Sequence, residues 1–96
     1  MSDIVTEAVK ALNAKIDGGF AAGTAKFVIS DEGSVIVDAD GARAGDDDAD
    51  VTLTADVETF QGMIEGDVNP TAAFMQGKLT VDGDMGMAMQ LGAALA

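Results

Sequence analysis

The spacing of apolar positions changes several times along this chain. Ile4, Val5, Ala8, Val9, Leu12 and Ile16 recur at helical intervals and form one stripe of an amphipathic helix over 3–16. Ser2 or Asp3 suits its cap, and Gly18-Gly19 suits its stop. The period then shortens. "GTAKFVIS" sets Phe27 and Ile29 on one face, "DEG" at 31–33 is a turn, and "SVIVDAD" is β-rich, so a hairpin is predicted. The polar run that follows leaves room for a short third strand near Ala42–Ala44. "DVTLTA", 50–55, alternates Val51, Leu53 and Ala55 with Thr52 and Thr54, the pattern of a strand with one wet face.

Helical spacing returns after Asp56, where Val57, Phe60, Met63 and Ile64 recur until Gly66, a suitable residue just past a helix end. Asn69-Pro70 starts another helix, with Asn as cap and Pro at the first helical position, and Gly77 closes it. "KLTV", 78–81, reads as a last strand and Asp82-Gly83 as a turn. Asp84 then caps a final helix to about Leu95. Strands come mostly before helices. The expected fold class is α+β, one domain over 1–96, with helices gathered on one face of a mainly antiparallel sheet.

The last helix is apolar most of the way round. Met85, Met89 and Ala93 fall on one side; Met87, Leu91 and Leu95 fall on another. Such a helix is normally covered on more than one face, yet little chain is left to cover it. Three readings follow: plain core, docking on a second subunit, or one wall of an apolar cavity. Unbranched, polarizable methionine suits the last two. Periodicity does not choose among them.

Composition narrows the chemistry. There is no Cys and no His, which removes thiol and disulfide chemistry and the commonest general base and neutral metal ligand. The net charge of −12 repels nucleic acid and anionic membrane surfaces. Asp outnumbers Glu and Lys is scarce, as in proteins of organisms that keep molar salt in the cytoplasm, so a halophilic, acidic protein is expected. No apolar run reaches membrane-spanning length, and the start "MSDIVTEAV" has acids where a signal peptide needs positive charge, so a cytoplasmic location is expected. Asp46-Asp47-Asp48-Ala49-Asp50 fails as an EF-hand loop, because Val51 and Val57 stand where Gly and Glu are required. It reads as a solvated acidic loop. Lys78, Gln76 and Gln90 are read as surface residues. Neither cofactor nor metal is expected.

Residues 49–91, "ADVTLTADVETFQGMIEGDVNPTAAFMQGKLTVDGDMGMAMQL", closely resemble the sterol carrier protein type 2 family. The similarity runs through Ala49, Asp50 and Thr52, the Phe-containing helix ending at Gly66, and Asn69-Pro70. It continues through Ala73-Phe74-Met75-Gln76-Gly77-Lys78-Leu79 and Gly83-Asp84-Met85-Gly86, then Ala88-Met89 and Leu91. Residues 2–48 share the element order more weakly. The resemblance implies a five-stranded sheet covered on one face by about four helices. Between the layers it implies an apolar tunnel for fatty acid, fatty acyl-CoA or isoprenoid and sterol-like lipids, without catalysis. It places Phe60, Ile64, Phe74, Met75, Met85 and Met89 on the tunnel wall, and Leu91 and Leu95 near its mouth. The expected partners are a lipid or fatty acyl ligand and an enzyme of lipid metabolism. The chain stops soon after Leu91, which implies a tunnel end that is open or closed by another subunit. The absence of a peroxisomal tail disfavours sterol as the natural ligand. The competing reading is an interaction module that docks its Met-rich helix on an enzyme or a twin subunit.

Overall fold

A computed structural model describes residues 3–16, 20 and 23–95, without the side chain of residue 95. The elements run α1 (Asp3–Lys15), β1 (Ala25–Ile29), β2 (Gly33–Asp38), β3 (Gly41–Ala44), β4 (Val51–Ala55), α2 (Val57–Glu65), α3 (Pro70–Met75), β5 (Leu79–Gly83) and α4 (Met85–Leu95). The proposed cap at Ser2 and the stop at Gly18-Gly19 lie outside the described residues. None of the described helices is long and apolar enough to cross a membrane.

The five strands form one sheet in the order β3-β2-β1-β4-β5. β1–β2, β2–β3 and β4–β5 are antiparallel, and β1–β4 is parallel. The hairpin turn carries Asp31 in the left-handed region at φ 67°, a conformation that Asp tolerates better than most residues. Alternation decides which face is buried. Ala25, Phe27 and Ile29 of β1, Val35 and Val37 of β2, and Val51, Leu53 and Ala55 of β4 point into one core under the helices. α1 adds Val5, Ala8 and Leu12 to that core and α2 adds Phe60 and Met63.

The parallel pair dictates a crossover. Residues 45–50 leave edge strand β3 and enter β4 beyond β1, crossing the sheet face away from the helices. There Gly45 lies against the buried Ile36. The run of acids expected to be a solvated loop therefore has structural work at both ends. Lys26 Nζ bonds Asp46 Oδ1 at 2.9 Å. The Thr24 amide donates to Asp50 Oδ2 at 3.1 Å, and the Asp50 amide donates to the Thr24 carbonyl at 2.8 Å. The Asp50 carbonyl also accepts from the Asp84 amide at 3.2 Å, which joins the start of β4 to the start of α4.

β3 would present a bare edge, but Asn13 of α1 covers it. Its side-chain amide donates to the Ala42 carbonyl at 3.1 Å and accepts from the Ala42 amide at 2.8 Å. An edge blocked in this way resists pairing with another chain.

The last strand runs longer than its pattern predicts. Asp82 and Gly83, expected to turn, pair with Thr52 and Val51. Gly83 permits this: it sits at φ 112°, and a Cβ there would lie 2.5 Å from the Asp50 carbonyl oxygen and 3.0 Å from Val51 Cα. Gly83→Ala is therefore expected to cost about 1–3 kcal/mol through backbone strain. At this chain length that lowers the melting temperature by at least ~4 °C. A calorimetric scan of the variant reads it directly, and an unchanged midpoint would mean that the strand does not approach β4 so closely.

Candidate functional site

Two short helices and the sheet edge enclose a cleft. Asn69 sets the first helix: its Oδ1 accepts from the Thr71 and Ala72 amides at 2.8 and 3.2 Å, and Pro70 occupies the first turn. Asp84 sets the second, accepting from the Met87 amide at 3.1 Å. These two caps aim α3 and α4 across the same end of the sheet.

The cleft between them has a volume of about 260 Å³. α3 contributes Pro70, Thr71, Phe74 and Met75; α4 contributes Met85, Ala88, Met89 and Gly92, a stripe at i, i+3, i+4 and i+7. Leu53 of β4, with Leu79 and Val81 of β5, forms the floor, and Leu53 pairs directly with Val81. Thr71 has the one polar side chain among these residues. Gly92 fits because α4 passes close to α3: a Cβ there would stand 3.3 Å from Pro70 Cβ.

The wheel of the last helix is now resolved. Met87, Ala88 and Leu91 are buried, whereas Met85 and Met89 are 44% and 66% exposed. Phe74 and Met75 on α3 are 41% and 80% exposed. These are the exposed large apolar side chains among the described residues, and all four line the cleft. Flexible methionines on both sides give it walls that can repack.

The residues expected on a tunnel wall therefore separate. Phe74, Met75, Met85 and Met89 are brought together. Phe60 is 2% exposed and packs edge-on against Phe27, with ring centroids 5.2 Å apart. Phe60 and Ile64 border a different depression, of about 270 Å³, between α1 and α2. Leu91, expected near the mouth, is fully buried in the core. The Leu95 side chain lies outside the described residues. Leu53, Pro70, Thr71, Leu79, Val81, Ala88 and Gly92 join the lining without having been singled out in the sequence.

The two depressions are nearly equal in size, so chemistry distinguishes them. Glu7, Gln61 and Glu65 edge the second one; the first has no charged lining residue. Lys78 does not line the apolar cleft either. Its charge acts on Asp56, whose carboxyl is held below the ordinary range chiefly by hydrogen bonds from the Thr59 amide and hydroxyl, and less by Lys78. A lining that is apolar apart from the Thr71 hydroxyl is a surface suited to a hydrocarbon.

Three comparisons place this geometry. Hydroxysteroid dehydrogenase-like protein 2 of Danio rerio is 54% identical over 43 residues, which are 45% of this chain and 10% of that protein's length. Sterol carrier protein 2 from Yarrowia lipolytica, in its apo form, is 25% identical with a TM-score of 0.68, over 97% of this chain and 74% of that one. A solution structure of sterol carrier protein 2 from Aedes aegypti, in complex with palmitate, superposes with a TM-score of 0.78 at 20% identity, covering 100% of this chain and 97% of the other. The model of the SCP-2 sterol transfer family matches residues 5–96, and the chain belongs to that family.

Proposed function

We propose that this domain binds and carries apolar ligands, without catalysis, in the cleft between α3, α4 and the β4–β5 floor. The observation that carries the reading is the lining itself: ten of its eleven residues lack a polar side chain, and four large apolar ones stand exposed around it. Support also comes from the family match and from the palmitate held by the Aedes protein of the same fold. Fatty acid, fatty acyl-CoA and isoprenoid or sterol-like lipids are the ligand classes. Their tails would lie along the floor and their polar heads would stay at the rim, where no cation of the lining meets them. Burying each methylene contributes about 0.8 kcal/mol, and association costs offset a large part of the total.

The ligand's charge matters because the chain carries −12. At low ionic strength this field opposes a fatty carboxylate, and at about 1 M salt, where the screening length is about 3 Å, the opposition disappears. We read the acidic surface as suited to a salt-rich cytoplasm, with a lipid-metabolising enzyme as donor or acceptor.

A second reading draws on the same exposed methionines: the rim docks on an enzyme or a twin subunit instead of closing over a lipid. Thermal melting at fixed salt separates the two. A ligand at 100-fold its Kd stabilises by about 2.7 kcal/mol, a rise of roughly 10–20 °C at this size. Palmitate and hexadecanol are expected to raise the midpoint at constant protein concentration, and the alcohol's advantage should shrink in molar salt. A midpoint indifferent to both, but rising with protein concentration, would favour the docking reading and overturn the carrier.

A further inference from the structure

Sulfur is the readily oxidised side-chain atom in this protein, which has six methionines and no Cys, Trp, Tyr or His. Fold position divides the methionines sharply. Met63 and Met87 are 1% and 8% exposed within the core. Met75, Met89 and Met85 are 80%, 66% and 44% exposed, and all three line the apolar cleft. Met1 lies outside the described residues.

We propose that the methionine rim is an oxidation site that controls ligand uptake, with Met75, Met85 and Met89 as the residues modified and a peroxide as the oxidant. The inference rests on the cleft being the ligand site. In the reaction a sulfur lone pair attacks one peroxide oxygen. The S–O bond forms as the O–O bond breaks, and the departing oxygen takes the proton of the attacked one. With hydrogen peroxide the sulfide is oxidised by two electrons to the sulfoxide, and the peroxide is reduced to water. Access decides the order, so rim sulfurs react before core sulfurs.

The product changes the cleft more than the fold. A sulfoxide replaces a soft apolar contact with a strong acceptor. Thr71 supplies the one polar side chain in the lining, so three sulfoxide oxygens cannot all find a donor there. When an apolar tail enters, each oxygen either stays in water, which withdraws the side chain from the tail, or is buried without a partner. The expected loss of affinity is about tenfold or more. These side chains are exposed in the free protein, so their oxidation leaves the packed interior intact.

The test uses the whole chain, treated with graded hydrogen peroxide and then freed of it. Peptide mass mapping should show oxygen on Met75, Met89 and Met85 before Met87 and Met63. Affinity for a fluorescent fatty acid should fall by about tenfold or more while the circular dichroism spectrum is unchanged. Methionine sulfoxide reductases A and B should restore it. A variant carrying Met75→Leu, Met85→Leu and Met89→Leu, compared only with itself before and after peroxide, should show no change. Core and rim oxidising at the same rate, a fully oxidised rim with undiminished affinity, or a loss that the reductases do not reverse would each overturn the inference. An untreated protein that binds no lipid would overturn the carrier reading and this inference with it. Unchanged affinity after oxidation would sink this inference alone.

Discussion

Phe27→Ala is expected to destabilise the domain by about 3–5 kcal/mol. A domain of this kind has only about 5–15 kcal/mol in total. The side chain is 1% exposed on the central strand, between Val35 and Leu53 on its two ladder neighbours. Its ring meets that of Phe60 at an interplanar angle of 66°, the edge-on arrangement that aromatic pairs favour. The flanking strands hold the backbone in place, and the cavity persists. The melting midpoint should fall by roughly 12–40 °C, and the urea midpoint should drop at an unchanged denaturant slope. Phe74→Ala is the control, because Phe74 is 41% exposed at the cleft. A Phe27→Ala loss below about 1 kcal/mol, or one matched by Phe74→Ala, would show that the aromatic pair does not organise the interior.

The second large effect concerns the ligand. Ala88 lies in the middle of the α4 stripe that faces the cleft, and it is 8% exposed. Ala88→Phe directs a ring into a space of about 260 Å³ and takes much of the volume a tail would use. Lipid affinity is expected to fall by at least about tenfold, the equivalent of losing two methylenes' burial. The free protein should lose no more than the roughly 1–3 kcal/mol that overpacking costs, because Ala88 is buried but borders the cleft, which takes up much of the ring. Titration with a fluorescent fatty acid and a thermal scan of the same sample give both readings. Strong destabilisation with retained binding would place the ligand elsewhere, and the depression beside Phe60 and Ile64 would then be the next site to test.

The local signals in this chain were easy to read, and the long-range ones were not. Asn69-Pro70 and Asp84 cap α3 and α4 because their chemistry acts within three residues. The alternation in 51–55 correctly separates Val51, Leu53 and Ala55 from the threonines. Nothing in that alternation says which strand lies alongside. The parallel pairing of β1 with β4 depends on a crossover whose residues look like any acidic loop. The two faces of α4 were ambiguous for a related reason. Met85 and Met89 form a stripe as apolar as that of Met87 and Leu91, so hydrophobicity could not mark which one turns inward. α2 poses the same problem: Phe60 and Ile64 share a face, and only packing against α1 shows which neighbour that face meets. Leu79 and Val81 carry no local mark of cleft residues, because a short edge strand reveals its inner face only once its partner is known.

The central seam of the sheet divides the molecule in an informative way. α1 and β1 to β3 form one contiguous half, and β4 to α4 form the other; parallel rungs from Ala25–Val51 to Ile29–Ala55 join them. Every residue lining the apolar cleft, from Leu53 to Gly92, belongs to the later half. The earlier half is thus a buttress: the cleft draws no lining residue from it. Assembly must also wait for the two segments to find each other. A nick in the acidic bridge between them would leave the entire lining of the apolar cleft on one of the two pieces.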